Sequence, residues 1–363
     1  MNTTKKINTY FDIFRVIAAI IIAYAIALVM LFVLSDNPWF VIKQFVVGPL
    51  STFRRFGDVV TLMIPIMFTG LCMCFIYAVN QFNLVGEGAV SLGGCMAAWA
   101  AIALSGVNIP SPLFILILLG VGALSGIVCS AIPALLERKF GANICVISLM
   151  MNYILLYLTS YILKYVIKDP KSSITASYEL PQAALLKNIV PKTSIHAGLI
   201  IAIICVIVVT IIFYKTPFGF KMRAVGFNPT FAKYIGIPVS ATIVIAQLIG
   251  GALAGMGGTV QVLGMYTRYQ WTSLTNYGFD GLMVAVLAKT NPALVPVGAF
   301  LIAYIRIGAD IVTRTTPIPA EFVSIVQGII IVLVAAEMFL GGIKSRMIFS
   351  SAKKSLKSGK ETA

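Results

Sequence analysis

Hydrophobic residues come in long blocks along this chain, with polar residues in short clusters between them. The blocks fall at about 16–34, 59–80, 84–104, 113–136, 143–167, 196–214, 239–265, 278–288, 293–312 and 320–341. Most approach the roughly 20 apolar residues an α-helix needs to cross about 30 Å of hydrocarbon. The pattern predicts an all-α polytopic membrane protein with about ten transmembrane helices, some of them broken or re-entrant. An even number of crossings leaves both termini on one face.

Three blocks depart from plain hydrocarbon. NQFNLVGEGAVSLGG, residues 80–94, sets Asn83, Glu87 and four glycines among greasy neighbours. A carboxylate at membrane depth is costly, so Glu87 must face protein, a cavity or the membrane interface. TNYGFDGLMVAVLAKTNP, residues 275–292, holds only about ten apolar residues and opens on Gly278, Phe279, Asp280 and Gly281. A broken helix explains it, with Asp280 either lining a path or favouring the positive end of the helix dipole. GGALAGMGGTVQVLG, residues 250–264, places small residues four apart, which lets helices approach closely in lipid. Asn152, inside SLMMNYILLYL, needs a partner, either another helix or a passing solute. Arg306 and Glu337 complete the intramembrane polar set.

Composition strengthens the membrane reading. The chain of 363 residues is 59% hydrophobic and 11% charged, against about 25% charged in soluble domains. The net charge of +15 sits at the ends of the apolar blocks. With an inside N-terminus the larger share of Lys and Arg falls on the cytoplasmic side. The domains expected are a cytoplasmic N-terminus over 1–15, a transmembrane domain over 16–343 and a basic cytoplasmic tail over 344–363. Within the transmembrane domain, 215–238 forms a cytoplasmic segment and 168–195 an extracellular loop. The block 16–34 is longer than a signal-peptide core and reads as a retained first span. Segment 35–58 mixes aromatics and charge and suits a course along the membrane surface.

The cytoplasmic segment contains RAVGFNPTFAKYIGIPVSA, residues 223–241. Asn228 is placed to cap a short helix over 229–235 and Gly236 to end it in a left-handed turn. Such a helix is marginal alone in water. It makes sense under a docked partner, to which Phe231, Ala232 and Tyr234 offer apolar contacts.

Chemistry on this chain itself is excluded on several counts. No phosphate loop of the G-x-x-x-x-G-K-[ST] type is present. The six cysteines lie inside apolar runs without C-x-x-C spacing, and the single histidine, His196, sits at the edge of a span. An ATP-driven activity therefore needs a separate chain.

Several stretches resemble the membrane permeases of ATP-binding-cassette importers for branched-chain amino acids, simple sugars and nucleosides. RAVGFNPTFAKYIGI is similar to that family's coupling-helix pattern at Arg223, Ala224, Gly226, Asn228, Ala232, Gly236 and Ile237, with Phe231 in place of the usual small residue. Asn83, Leu84, Glu87 and Gly88 match an N-[IL]-G-x-E-G-Q pattern of the nucleoside and simple-sugar branch, while Val85 and Ala89 depart from it. TPFGFKMRAVG, the Gly-rich stretch 250–264, YGFDGLMVAVLAKTNP and SLMMNYILLYL add ordered matches from about residue 57 to 335.

The resemblance implies a type II importer fold, and Asn83, Glu87, Asn152, Phe279 and Asp280 are the candidates for the substrate pathway or its structural support. It implies an ATPase contact through Arg223, Gly226, Asn228, Phe231, Ala232, Tyr234, Gly236 and Ile237. The expected partners are a cytosolic ATPase that uses ATP and Mg²⁺, an extracellular substrate-binding protein and a second, related permease. No cofactor or metal is expected on this chain and no nucleic acid. The location is the plasma membrane, with both termini cytoplasmic. A nucleoside is the first expectation for the solute and a simple sugar the second. Two readings of other classes stay open: an ion-coupled secondary transporter using Glu87 and Asp280, and a receptor without transport.

Overall fold

The computed structural model describes residues 37–107 and 109–316, together with positions 25, 28, 29, 32, 325 and 328. Apart from those six positions, the apolar blocks at 16–34 and 320–341 lie outside the described residues, as do Glu337 and the basic tail. The chain divides into two compact units, Met1–Gly48 with Gly308–Ala363, and Pro49–Ile307. In the first unit, helix α1 (Pro38–Val46) buries Val41 and Phe45. Segment 35–58 is thus partly helical, where the sequence suggested only a surface course.

The second unit carries most of the bundle. Its helices are α2 (Phe53–Ala78), α3 (Gly86–Ala103), α4 (Ser111–Phe140), α5 (Ile144–Tyr165), α6 (Gly198–Lys215), α7 (Pro217–Phe227), α8 (Pro229–Tyr234), α9 (Val239–Met265) and α10 (Tyr277–Leu287). A last helix, α11 (Val295–Thr315), begins here. Among the described residues six helices are long and apolar enough to cross a membrane. They are α2, α4, α5, α6, α9 and α11, the last extended to Pro292. This establishes a multi-pass membrane protein. The expected count of about ten is not reached among the described residues. Two blocks fall outside them, α10 is a half-span, and α3 owes its length to Gly and Ala rather than to strongly apolar residues.

Local sequence sets the helix boundaries. Thr52 caps α2 by accepting from Arg55 N at 3.3 Å, and Asn143 caps α5 by accepting from Cys145 N at 3.0 Å. Gly141 closes α4 in the left-handed region, where a residue without Cβ is unstrained.

Helix α9 is the centre of the unit and packs against α2, α3 and α4. Glycines make that possible. A Cβ on Gly255 would stand 2.1 Å from Gly122 O, and one on Gly251 would stand 2.4 Å from Gly126 O. The backbones of α9 and α4 therefore touch, as small-residue faces in lipid allow. At one end of the bundle the chain between α5 and α6 is laced to α9 and the segment after it. Leu186 N donates to Leu263 O, Leu180 N to Thr267 O and Ser177 N to Tyr269 O, each at 2.9 Å.

Candidate functional site: two broken helices and the vestibule above them

The two polar interruptions seen in the sequence meet inside the bundle. After α2 ends, residues 79–85 run back without helical structure before α3 starts at Gly86. After α9 ends, residues 266–276 likewise run non-helically before α10 starts at Tyr277. Thr69 Oγ1 donates to Tyr277 O at 2.8 Å. Thr69 lies sixteen residues into α2, which puts the start of α10 about 24 Å along a helix rising 1.5 Å per residue. The eleven residues of α10 cover only about 16 Å, half a membrane.

Glu87 joins the two breaks. Its carboxylate accepts from Asn276 N at 2.8 Å, Gly278 N at 2.7 Å and Thr275 Oγ1 at 3.0 Å. The first amides of a helix have no partner within it, and an anion there also meets the positive end of the helix dipole. Gly278 allows the approach, since a Cβ on it would sit 2.3 Å from Glu87 N. The acid that caps the first amides of α10 thus comes from α3, while Asp280 stands within the first turn of α10.

Asp280 forms an ion pair with Arg306 of α11. Arg306 also donates to Thr275 O at 2.9 Å, and its guanidinium lies 5.2 Å from the centre of the Tyr277 ring. The lead-in to α3 is held in the same manner. Asn152 accepts from Gly88 N and donates to Leu84 O, both at 2.9 Å. Asn83 accepts from Val85 N at 2.9 Å and donates to Gln247 at 2.7 Å. Asn83, Glu87, Asn152 and Asp280 are all buried, and Phe279 is half-buried. Among the sequence-predicted path residues, these four support the junction. They share it but do not converge on an open space.

The open space lies beside them. A cavity of about 760 Å³ is lined by Ser173–Thr175, Tyr266, Gln270–Thr275, Tyr277 and Arg306. Trp271 anchors its aromatic side, edge-on to Tyr266 at 6.0 Å and to Tyr277 at 6.2 Å between ring centres. Gln270, Thr272, Ser273, Thr275 and Arg306 supply hydrogen-bonding groups. Ring faces beside a few placed donors and acceptors suit a small polar solute with a flat part. Of these residues only Arg306 and, at the head of the 275–292 stretch, Thr275 and Tyr277 stood out in the sequence. The signal was present in TRYQWTSLTNYGF, a polar and aromatic stretch directly after a Gly-rich span.

The loop over the cavity is clamped by charge. Arg268 donates to Asp169 at 2.6 Å and to Glu179 at 2.9 Å. Asp169 is held below its ordinary carboxyl value of 3.8, first by the Lys171 amide it accepts from and then by Arg268.

The opposite end of the bundle carries the segment 215–238. It holds two helices, α7 and α8, where the sequence suggested one. Thr216 caps α7, and Arg223 donates to the Phe213 carbonyl at the end of α6. Gly226 lies against the end of α2, so close that a Cβ would be 2.1 Å from Ala78 O. Asn228 caps α8 by accepting from Phe231 N at 3.0 Å, and Gly236 follows with φ of +83°. Ala232, Ile237 and Val225 form a small buried cluster that pins α8 down. Phe231 and Tyr234 point away from it and are exposed.

A bundle of membrane-length helices interrupted by two half-helices that meet deep inside it, under a polar cavity, defines a solute permease. The comparison with known proteins agrees. The chain belongs to the family described as branched-chain amino acid transport system / permease component, whose model matches residues 56–335. It is 31% identical over 284 residues to the guanosine ABC transporter permease protein NupP of Bacillus subtilis, covering 77% of this chain and 80% of that protein. It is 28% identical to the nucleoside ABC transporter permease protein NupB of Lactococcus lactis, covering 89% and 90%. It is 25% identical to the glucose ABC transporter permease protein TsgB13 of Haloferax volcanii, covering 89% and 87%.

Proposed function

We propose that the chain is the membrane-spanning permease subunit of an ATP-driven importer and passes a nucleoside or related small polar solute by alternating access. The cavity above the broken helices carries this reading, because Trp271, Tyr266 and Tyr277 offer rings to a base while Gln270, Thr272, Ser273 and Arg306 offer partners to a ribose. The guanosine and nucleoside permeases among its relatives support the same solute class. The junction of Glu87, Asn83, Asn152 and Asp280 fixes the floor of that path, with Phe279 beside it. A simple sugar is the second reading, favoured by the glucose permease relative.

ATP and Mg²⁺ act on a separate cytosolic ATPase, which docks on α8 through Phe231 and Tyr234. Arg223, Gly226, Asn228, Ala232, Gly236 and Ile237 hold that helix in place. This orientation puts both termini in the cytoplasm and the 168–195 loop outside, where a substrate-binding protein delivers the solute. A second permease completes the membrane unit. The test is uptake into proteoliposomes holding the complete assembly, with labelled guanosine and glucose. ATP-dependent guanosine uptake is expected. Uptake by this chain alone under an ion gradient without ATP overturns the reading, and glucose uptake without guanosine uptake selects the sugar.

A further inference from the structure

A second cavity, of about 620 Å³, opens at the end of the bundle that carries α8, between the close of α4, α8 and the start of α9. Its floor is apolar, with Ile237, Ile243 and Val244, and its polar lining is Arg138, Lys233, Glu137 and Ser240. Arg138 and Lys233 are exposed, and neither is ion-paired among the described residues. Glu137 is half-buried and turned toward the side-chain amides of Gln81 and Gln247. Two cations against one carboxylate leave the lining with a single net positive charge.

Depth says what meets that charge. Helix α4, with 30 residues, is about 45 Å long, against about 30 Å of hydrocarbon. Its last turn, with Glu137 and Arg138, therefore stands at the level of the lipid headgroups, as does Ser240 in the first turn of α9. From Leu135 the helix runs back through Val128 to Leu124, all three exposed, over about 16 Å, the depth of one leaflet. The partner ATPase is a poorer match for the cavity. On the single turn of α8, Lys233 lies about 200° round the axis from Phe231, and Ile237 belongs to the buried cluster that pins α8 down. The cavity thus opens on the bundle side of α8, across the helix from Phe231.

We propose that this cavity binds the headgroup phosphate of an anionic phospholipid, with an acyl chain along the exposed side of α4 from Leu135 to Leu124. Arg138 and Lys233 meet the phosphate oxygens, and Ser240 donates its hydroxyl to one of them. Basic hollows between membrane helices hold anionic headgroups in this way. A phosphodiester brings the one negative charge that the lining lacks, whereas a zwitterionic headgroup adds an ammonium that the two cations repel. The bound lipid ties α8 to α4. The site does not depend on which solute crosses the membrane.

The test titrates the full chain, in a neutral detergent, against phosphatidylglycerol carrying a fluorophore on its acyl chain, and reads fluorescence polarisation. Phosphatidylcholine with the same label is the comparison. Saturable binding of phosphatidylglycerol at least about fivefold tighter than of phosphatidylcholine is expected. Arg138→Gln with Lys233→Gln should weaken it about tenfold to thirtyfold, each cation near a headgroup being worth about fivefold. Lys215→Gln with Lys221→Gln, which removes the same charge from the same end of the bundle outside the cavity, should leave it within about twofold. Ser240→Phe keeps both cations but fills the cavity, and should also abolish the preference for phosphatidylglycerol.

Equal affinity for the two lipids overturns the proposal, and so does an equal loss in the Lys215 and Lys221 pair, which marks unspecific attraction. Displacement of the labelled lipid by millimolar inorganic phosphate assigns the cavity to a free anion instead of a lipid. Loss of phosphatidylglycerol binding when the titration is repeated on the complete assembly assigns it to the ATPase contact. Either result overturns the lipid site. Should the Arg138 and Lys233 pair fail to fold, Ser240→Phe decides alone, because Ser240 is exposed and its replacement leaves the packed core untouched.

Discussion

Replacing Glu87 separates a residue that holds the fold from one that touches solute. The carboxylate satisfies three donors, of which Gly278 N belongs to a buried residue, Thr275 Oγ1 borders the cavity and Asn276 N belongs to an exposed residue. Glu87→Ala strands the Gly278 amide, at a cost of about 1–3 kcal/mol for a buried unpaired donor. The other two donors regain water and lose about 0.5 kcal/mol each. Favourable placement of the anion at the start of α10 adds a few tenths of a kcal/mol. The loss comes to about 2–4 kcal/mol, and for a chain of 363 residues an apparent Tm lower by about 3–5 °C. Glu87→Gln keeps one acceptor but turns an NH₂ group toward an N–H, so its Tm should fall between those of Glu87→Ala and the unaltered chain. Thermal unfolding in detergent, followed by Trp fluorescence, measures this order. In the same preparations guanosine uptake should decline in step with the folded fraction, with unchanged selectivity between guanosine and glucose. A Glu87→Gln chain that melts normally but changes its preferred solute refutes the argument and assigns the carboxylate to solute contact.

Three further outcomes follow from the geometry. Gly255→Ala drives a Cβ against the Gly122 carbonyl; because both partners are backbone, it should destabilise by about 1–3 kcal/mol in the same melting assay, whereas Gly120→Ala, which meets nothing, should not. The clamp of Arg268 on Asp169 should weaken in acid: the folded carboxyl titrates below 3.8, so its stabilisation is complete above that ordinary value and is lost as pH falls through the lower folded one. Protease cleavage in 168–180 should therefore stay flat down to about pH 5 and rise below it, with the dependence reduced in Arg268→Gln. Phe231→Glu with Tyr234→Glu should abolish uptake while leaving the melting temperature unchanged, because both side chains are exposed; a normal uptake rate removes α8 from the ATPase contact.

What was legible in the sequence was short-range. Asn228, Pro229 and Gly236 sit within one turn of the helix they start or stop, so α8 followed from local rules, and the Gly spacing of α9 announced a close helix contact without naming α4 as the partner. Helix α7 was hidden because Pro217 reads as a breaker, yet here it occupies the first turn behind the Thr216 cap, where proline is tolerated. The pairing of Glu87 with the amides of Asn276 and Gly278 bridges about 190 positions, and the Asp280–Arg306 pair depends on how α10 meets α11. No periodicity reports either.

The same geometry bears on the two roles open to the polar residues inside apolar blocks, solute contact and structural support. Polarity at membrane depth demands a partner, and a solute is one candidate. A broken helix generates its own demand, however: stopping the backbone ladder at 79–85 and 266–276 frees amides and carbonyls that hydrocarbon cannot satisfy. Glu87 and Asn152 are spent on those groups, Asn83 on the turn into α3, and Asp280 on the charge of Arg306. The polar groups that the break does not use up then include those of the non-helical lead-in, which lies outside the apolar blocks. In this chain that is the stretch 270–275, together with the ring of Tyr277 and the outward side of the Arg306 guanidinium. The polar groups that stand out most in an apolar run thus belong to the break, and the plain-looking polar stretch beside it lines the cavity.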